Sequence, residues 1–242
     1  MSDYSKPLNK EEWSIHYNMS NFLHVKNAVA SGNVQVWAKE LCNIIKYGES
    51  SLEIGCGSGI SSLWLAKNGR KATALDYTDS SIALVNAVGK DLDININTVK
   101  ADATQKLPFK EKEFDVIFQS GLLEHFTSDE QIDLLKNWKP YCKKMVSMIP
   151  NSASIPYRVG KKILEDSNKW EYGLEIPRHS LSKEFSEAGI VIEKEYTIGT
   201  EWALSFLPQK HYIRKFFKKM AKDGINLDDL MQGYLLVTIG KC

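Results

Sequence analysis

The sequence predicts an α/β protein built on a doubly wound, mostly parallel sheet with helices on both faces. Three observations predict it. Strand-like apolar runs alternate with helix-periodic segments over the first 150 residues, the pattern of repeated β-α-β units. One such run enters a turn with glycines at alternate positions, Ser51-Leu52-Glu53-Ile54-Gly55-Cys56-Gly57-Ser58-Gly59. Two later runs end in acids, Asp76 and Asp102, where a sheet's ligand-binding edge would lie.

The elements follow in order. Residues 11–46 read as helical, with Val34, Trp37, Ala38, Leu41, Ile44 and Ile45 at helix spacing, so one helix packs on the sheet before the first strand. Strands are expected near 51–55, 72–76, 94–100, 114–119, 144–149, 190–198 and 233–239, seven in all. Residues 60–68 form the helix after the glycine turn, and Thr78 can cap the next helix from Asp79. Phe114-Asp115-Val116-Ile117-Phe118-Gln119 is rich in β-branched and aromatic residues. Ser128-Asp129-Glu130-Gln131 has the form of a capping box that starts a helix. Gly189 ends the helix before the sixth strand. In the last strand Leu235, Val237 and Ile239 share one face.

The glycine turn carries the first chemical inference. Gly55, Gly57 and Gly59 let the backbone turn sharply and approach a ligand where a Cβ would clash. The helix that follows aims its N-terminal N–H groups at the same crevice. A dinucleotide fingerprint needs glycine at position 60, where this chain has Ile60, which argues against a nicotinamide or flavin dinucleotide. Glu53, at the carboxyl end of its strand, suits a cationic ligand better than a pyrophosphate. Asp76 lies nineteen residues after Gly57, close to the offset of about 20 at which a carboxylate reaches ribose hydroxyls.

Residues 52–59 resemble the first motif of the class I S-adenosylmethionine-dependent methyltransferases. The resemblance extends in order through Ala72–Asp76, Asn95–Ala103 and Phe114–Phe126, and covers roughly residues 35–200 plus the last strand. It implies a seven-stranded Rossmann-like sheet whose last strand is antiparallel, with S-adenosyl-L-methionine as cofactor. It also implies that Glu53, Gly55, Cys56, Gly57 and Gly59 cradle the cofactor and that Tyr77 packs on its adenine. Asp102 and Ala103 would hydrogen-bond the adenine ring, and Gln119 and Ser120 would contact the methionine part. In many members an N-terminal segment folds over the cofactor, a role that falls here on residues 1–46 and on Tyr17, whose ring would favour a sulfonium. Residues 47–242 form the methyltransferase domain, with inserts at 150–180 and 200–232 that cover the substrate pocket.

Glu124-His125 resembles the Leu-Glu-His segment of ubiquinone-type O-methyltransferases. With an ordinary pKa of roughly 6.5, His125 is the candidate base for a hydroxyl acceptor, and packing beside the cofactor is the other reading. His16, Glu124, Trp170 and His179 are candidate substrate contacts; Tyr172 and Glu175 accompany them in the first insert. No metal is expected, since adjacent residues such as Glu124 and His125 seldom converge on one ion.

Composition fits a soluble protein: 43% hydrophobic, 25% charged and a net charge of +1, without the charge excess of a polyanion binder. Cys42, Cys56, Cys142 and Cys242 show no paired spacing and read as free thiols of a reducing compartment. The first ten residues lack a signal-peptide core and no apolar run reaches membrane-span length, so a cytoplasmic location is expected. Residues 210–222 form a basic amphipathic helix, read either as an aromatic face packed on the domain or as a site of weak surface association with membrane. The expected function is methyl transfer to a small-molecule oxygen, nitrogen or carbon nucleophile, such as a sugar or secondary metabolite, with no nucleic-acid partner. An RNA or protein methyltransferase and a non-catalytic sensor of the cofactor are the alternatives.

Overall fold

In the computed structural model, which describes residues 4–242, the parallel β-α-β pattern closes into one seven-stranded sheet. The strands are β1 (Ser50–Ile54), β2 (Lys71–Asp76), β3 (Asn97–Lys100), β4 (Phe114–Ser120), β5 (Cys142–Pro150), β6 (Val191–Ile198) and β7 (Leu235–Lys241). Their spatial order is 3-2-1-4-5-7-6, and β7 alone runs antiparallel, pairing with β5 on one side and β6 on the other. The order reverses between β1 and β4, so the crevice where open α/β sheets bind ligands opens at the carboxyl ends of those two strands.

Alternation along the strands builds a core on each face. Ile117 and Leu236 face helices α6 (Ser128–Trp138) and α8 (Ser182–Glu187), burying Leu135, Trp138 and Phe185. Val116, Phe118 and Val237 point the other way, onto Leu41 of α3 (Val36–Ile44) and Leu65 of α4 (Ile60–Lys67). Leu235, Val237 and Ile239 share that second face, as their spacing predicted. Among the described residues no helix is long and apolar enough to cross a membrane.

Several local expectations are corrected. The N-terminal helical stretch breaks into α1 (Lys10–His16), α2 (Phe22–Ser31) and α3. Asn18 ends the first piece by capping the backbone N–H of Ser20, and Gly32 ends the second in the left-handed region at φ +74°. Helix α6 is capped one residue earlier than expected. The Thr127 hydroxyl accepts from Glu130 N–H while the Glu130 carboxylate accepts from Thr127 N–H, the Thr-x-x-Glu version of the box. Strand β3 is shorter, because Ile94 N–H closes onto the Gly89 carbonyl and completes the end of α5 (Asp79–Asp91) instead.

Both inserts contain helices. The first supplies α7 (Ile155–Asp166), the second α9 (Thr200–Ala203) and α10 (Tyr212–Lys222). Tyr157, Trp170 and Ala203 form a small buried cluster that joins them. On α10 no residue is fully buried: Tyr212 and Phe216 are exposed while Ile213, Phe217 and Met220 are half-buried, so the packed aromatic face is only partly realised.

The inserts meet most tightly at Gly160, where an added Cβ would lie 2.5–2.6 Å from Phe206, including its backbone. Backbone cannot yield as a side-chain tip can, so Gly160→Ala should destabilise by about 1–3 kcal/mol. A fall in thermal midpoint of several degrees checks this.

Candidate active site

The turn after β1 is held by β2. Gly57 sits at φ +51° and Gly59 at φ +67°, conformations that side chains resist. Gly59 brings the start of α4 against α5, where a Cβ would meet Val85 at 2.3 Å. At Gly57 the close approach is to Tyr17, whose ring would lie 2.8 Å from an added Cβ. The Asp76 carboxylate, at the end of β2, accepts from Gly57 N–H at 2.9 Å through one oxygen. The other oxygen accepts from the Thr78 N–H (2.9 Å) and hydroxyl (2.8 Å). Thr78 in turn caps α5, so it fills the role expected of it.

Neighbouring strands deliver the rest of the edge. Asp76 pairs in register with Lys100, which places Asp102 just beyond the same edge. The Asp102 side chain is exposed and bonds the N–H and hydroxyl of Thr104, while the Ala103 carbonyl accepts from the indole N–H of Trp138 at 2.9 Å. The Tyr77 ring is met by Lys10 at 5.7 Å, and its hydroxyl is pushed up to about 12 by burial and by Asp76. Helix α1 therefore lies across this edge, from Tyr77 at one end to Tyr17 and Gly57 at the other.

Aromatic contacts carry α1 on to the end of β4. Trp13 stacks on Tyr17 with ring centroids 6.0 Å apart and meets His125 edge-on at 5.2 Å, and His16 stacks on Tyr172 at 5.8 Å. His125 and Glu124 are both buried. The His125 Nδ1 donates to the Leu174 carbonyl at 2.6 Å, and burial holds the ring below its usual pKa, so it is neutral at neutral pH. The Gly121 carbonyl also approaches the ring. These contacts narrow the expected base role, because a ring donating at Nδ1 can accept a proton only at its other nitrogen.

Not every expected residue turns toward the crevice. Gln119 is buried, with its amide bonded to Ser147 and to the N–H groups of Leu122 and Leu123, so its side chain shapes the turn through Ser120. The Cys56 side chain packs among Val25, Ala28 and Leu63, leaving only its backbone at the turn. One oxygen of Glu53 accepts from the Ser62 N–H (3.0 Å) and hydroxyl in the first turn of α4, which ties strand to helix. His179 is exposed on the surface, next to Arg178, whose backbone pairs with Pro150. Trp170 is buried behind the pocket, with its N–H on the Gly173 carbonyl and its face under Lys161.

Three residues that the sequence reading passed over join Glu124. Tyr157 donates to Glu175; Tyr234, just before β7, contacts the Tyr157 ring at 5.2 Å; and Leu122 covers Gly55. The available signal was positional: Tyr157 and Tyr234 flank the β5–β7 edge, two residues and one residue from an element boundary.

Burial pushes the Glu53 carboxyl up to about 7, against the lowering effect of its Ser62 hydrogen bonds. A carboxyl raised in the folded state contributes most below its unfolded pKa of about 4.5, and that stability is lost as pH rises toward 7. Glu53→Gln keeps an acceptor for Ser62 without the charge. Relative to the parent it should gain on the order of 1–3 kcal/mol between pH 5 and pH 8, measured by denaturant unfolding.

Comparison with known proteins agrees with this geometry. Residues 52–145 match the family model of a methyltransferase domain. Ubiquinone biosynthesis O-methyltransferase of Rickettsia akari is 28% identical over 121 residues, 49% of this chain and 47% of that protein. (S)-coclaurine N-methyltransferase of Papaver somniferum is 24% identical over 199 residues, 78% of this chain and 53% of that protein. The chain spans about half the length of the curated relatives it matches. Among solved structures the [4+2]-cyclase SpnF superposes with a TM-score of 0.61 at 13% identity, over 98% of this chain and 97% of that one, a likeness of fold alone. The glycine turn, the carboxylate that holds it, the 3-2-1-4-5-7-6 sheet and the methyltransferase domain matched over residues 52–145 together support a class I S-adenosylmethionine-dependent methyltransferase.

Proposed function

We propose that this chain transfers the methyl group of S-adenosyl-L-methionine to a small-molecule acceptor. The observation that carries the reading is the enclosure of one continuous edge, from Asp76 past Gly57 to Glu124, beneath α1 and the first insert. The N-terminal segment and the insert are themselves joined: Leu174 N–H donates to the Lys6 carbonyl at 2.8 Å, and Gly173 packs against the same carbonyl. A site roofed in this way suits a compact acceptor better than a folded macromolecule.

The residues fit the cofactor. Gly57, at positive φ, lets the turn come into close contact with the Tyr17 ring, and Asp76 stands at the strand end where a carboxylate reaches ribose hydroxyls. In this reading Asp76 holds the ribose, Tyr77 packs on the adenine, and Asp102 with the Ala103 N–H reads its edge. The backbone of 55–57 and Ser120 hold the methionine part, and Tyr17 covers the sulfonium. The bound cofactor supplies an electrophilic methyl group; the protein aligns the acceptor and excludes water. His125 acts here as a positioning residue, clamping the insert through Leu174 to the turn after β4. Of the expected cover, 1–46, residues 4–46 serve in that role, residues 1–3 lying outside the described residues, and 47–242 serve as the catalytic domain.

Two measurements check the proposal. Incubation with methyl-labelled S-adenosylmethionine and separate pools of small molecules, RNA and protein should label the small-molecule pool, and label confined to RNA or protein would overturn it. Asp76→Asn should weaken S-adenosylhomocysteine binding at least about tenfold by calorimetry, the loss of a hydrogen bond to a charged group. Unchanged affinity would remove Asp76 from the ribose site.

A further inference from the structure

Beyond the glycine turn a buried carboxyl, Glu124, and a half-buried one, Glu175, lie side by side. Glu124 is 3% exposed, and its Oε2 is without a hydrogen-bond partner among the described residues. Glu175 is brought beside it because Ile176 N–H donates to the Glu124 backbone carbonyl at 2.7 Å. Tyr157 donates to Glu175. The Glu124 carboxyl is pushed well above its usual range, first by burial and then by the charge of Glu175. Glu175 itself is pushed up to about 7 by burial.

The remaining groups that face the pair are aromatic or already engaged. Tyr17, Tyr172 and Tyr234 all feel its field. Lys161 acts on Glu175 from behind, but its ammonium pairs with Glu165 and lies 4.3 Å from the Trp170 ring centroid. His125 is neutral and bonded to Leu174. Two acids held together in low dielectric, with only the shared charge of Lys161 acting on one of them, are costly, and an unpartnered buried oxygen adds to that cost. A ligand that brings a positive charge and N–H donors removes both costs, and tyrosine faces favour the same charge.

We infer that the acceptor is an amine, received as its ammonium ion between Glu124 and Glu175 under the rings of Tyr17, Tyr172 and Tyr234. This rests on the methyltransferase reading above and names its substrate class. The pair has a second task. An ammonium nitrogen has no lone pair to attack with, so one N–H proton passes to the carboxylate of Glu175, leaving a neutral amine and a carboxylic acid. The amine lone pair then forms the N–C bond as the methyl C–S bond breaks, with that electron pair staying on sulfur. The product carries the charge as a methylated ammonium, and the proton on Glu175 returns to solvent. A carboxyl with a pKa near 7 is suited to holding that proton at neutral pH.

The test uses primary and secondary aralkylamines of increasing size, phenethylamine among them, against their alcohol isosteres such as 2-phenylethanol, and against catechol. Calorimetry on the full chain saturated with S-adenosylhomocysteine should show at least one amine binding tenfold or more tighter than its alcohol. Glu124→Gln and Glu175→Gln should each abolish that preference, keep S-adenosylhomocysteine affinity within twofold and raise the thermal midpoint above pH 7. With labelled S-adenosylmethionine the label should appear on the amine nitrogen. Equal binding of amines and alcohols, a preference that survives both substitutions, or methylation of catechol but no amine would overturn the inference while leaving the methyltransferase reading intact. Failure to bind S-adenosylhomocysteine would overturn that reading instead. The same amine titration on the unloaded chain would then decide the role of the acid pair.

Discussion

The hydrogen bond from Gly57 N–H to the Asp76 carboxylate is the constraint on which the rest of the site depends. A loop with glycines at positive φ has little conformational preference of its own, and its flexibility costs entropy on folding. Asp76 removes that freedom from one side, while Cys56 N–H, donating to the Leu75 carbonyl, removes it from the same strand at 2.9 Å. Because the second oxygen of Asp76 holds Thr78, the same carboxylate also fixes the start of α5. Val85 of α5 then packs against Gly59. One buried acid thus couples the turn, the helix after it and the next strand–helix joint.

Much of this was legible in the amino-acid order because it is local. The seven strands are bounded by residues whose preferences are set within a few positions, and Gly55, Gly57, Gly59 and Asp76 act through backbone geometry. Side-chain direction was less legible. Glu53 and Gln119 stand where the motif requires them, yet each turns to a partner brought by tertiary structure, Ser62 or Ser147. Ser62 is nine residues from Glu53 and Ser147 is twenty-eight from Gln119, separations at which sequence pattern carries no pairing information. The helix cap at Thr127 was misplaced by one residue because Thr127 and Ser128 both offer a hydroxyl, and only Thr127 has glutamate three positions on.

The acceptor side of the site was illegible for a related reason. Its walls come from α1, the turn after β4, α7, the loop through Glu175 and the residue before β7. Tyr17 and Glu124 were marked by resemblance, but Tyr157, Glu175 and Tyr234 form no motif with them, and none of the three is unusual where it stands in the chain. What assembles them is packing between inserts: Gly160 against Phe206, Trp170 under Lys161, Gly173 against Lys6. This division follows the chemistry. The cofactor half needs one fixed backbone geometry, whereas the acceptor half is built from segments that can change without disturbing the sheet.

Within the site, buried carboxyls are treated in two ways. Asp76 accepts three hydrogen bonds and adds rigidity, so its burial is well compensated. Among the described residues Glu124 has an oxygen with no partner, and the half-buried Glu175 leans on one tyrosine hydroxyl, so their desolvation opposes folding at neutral pH. An apolar residue at either position would pack without that cost. The fold tolerates the pair through the aromatic and insert packing around it, and in the proposed reading a bound ligand supplies the missing charge. A carboxyl raised in pKa by its surroundings is poorly placed for stability and well placed for proton exchange with a bound acceptor. On this argument the unfavourable electrostatics of the chamber and its chemistry are the same property, set by how far the inserts exclude water from Glu124 and Glu175.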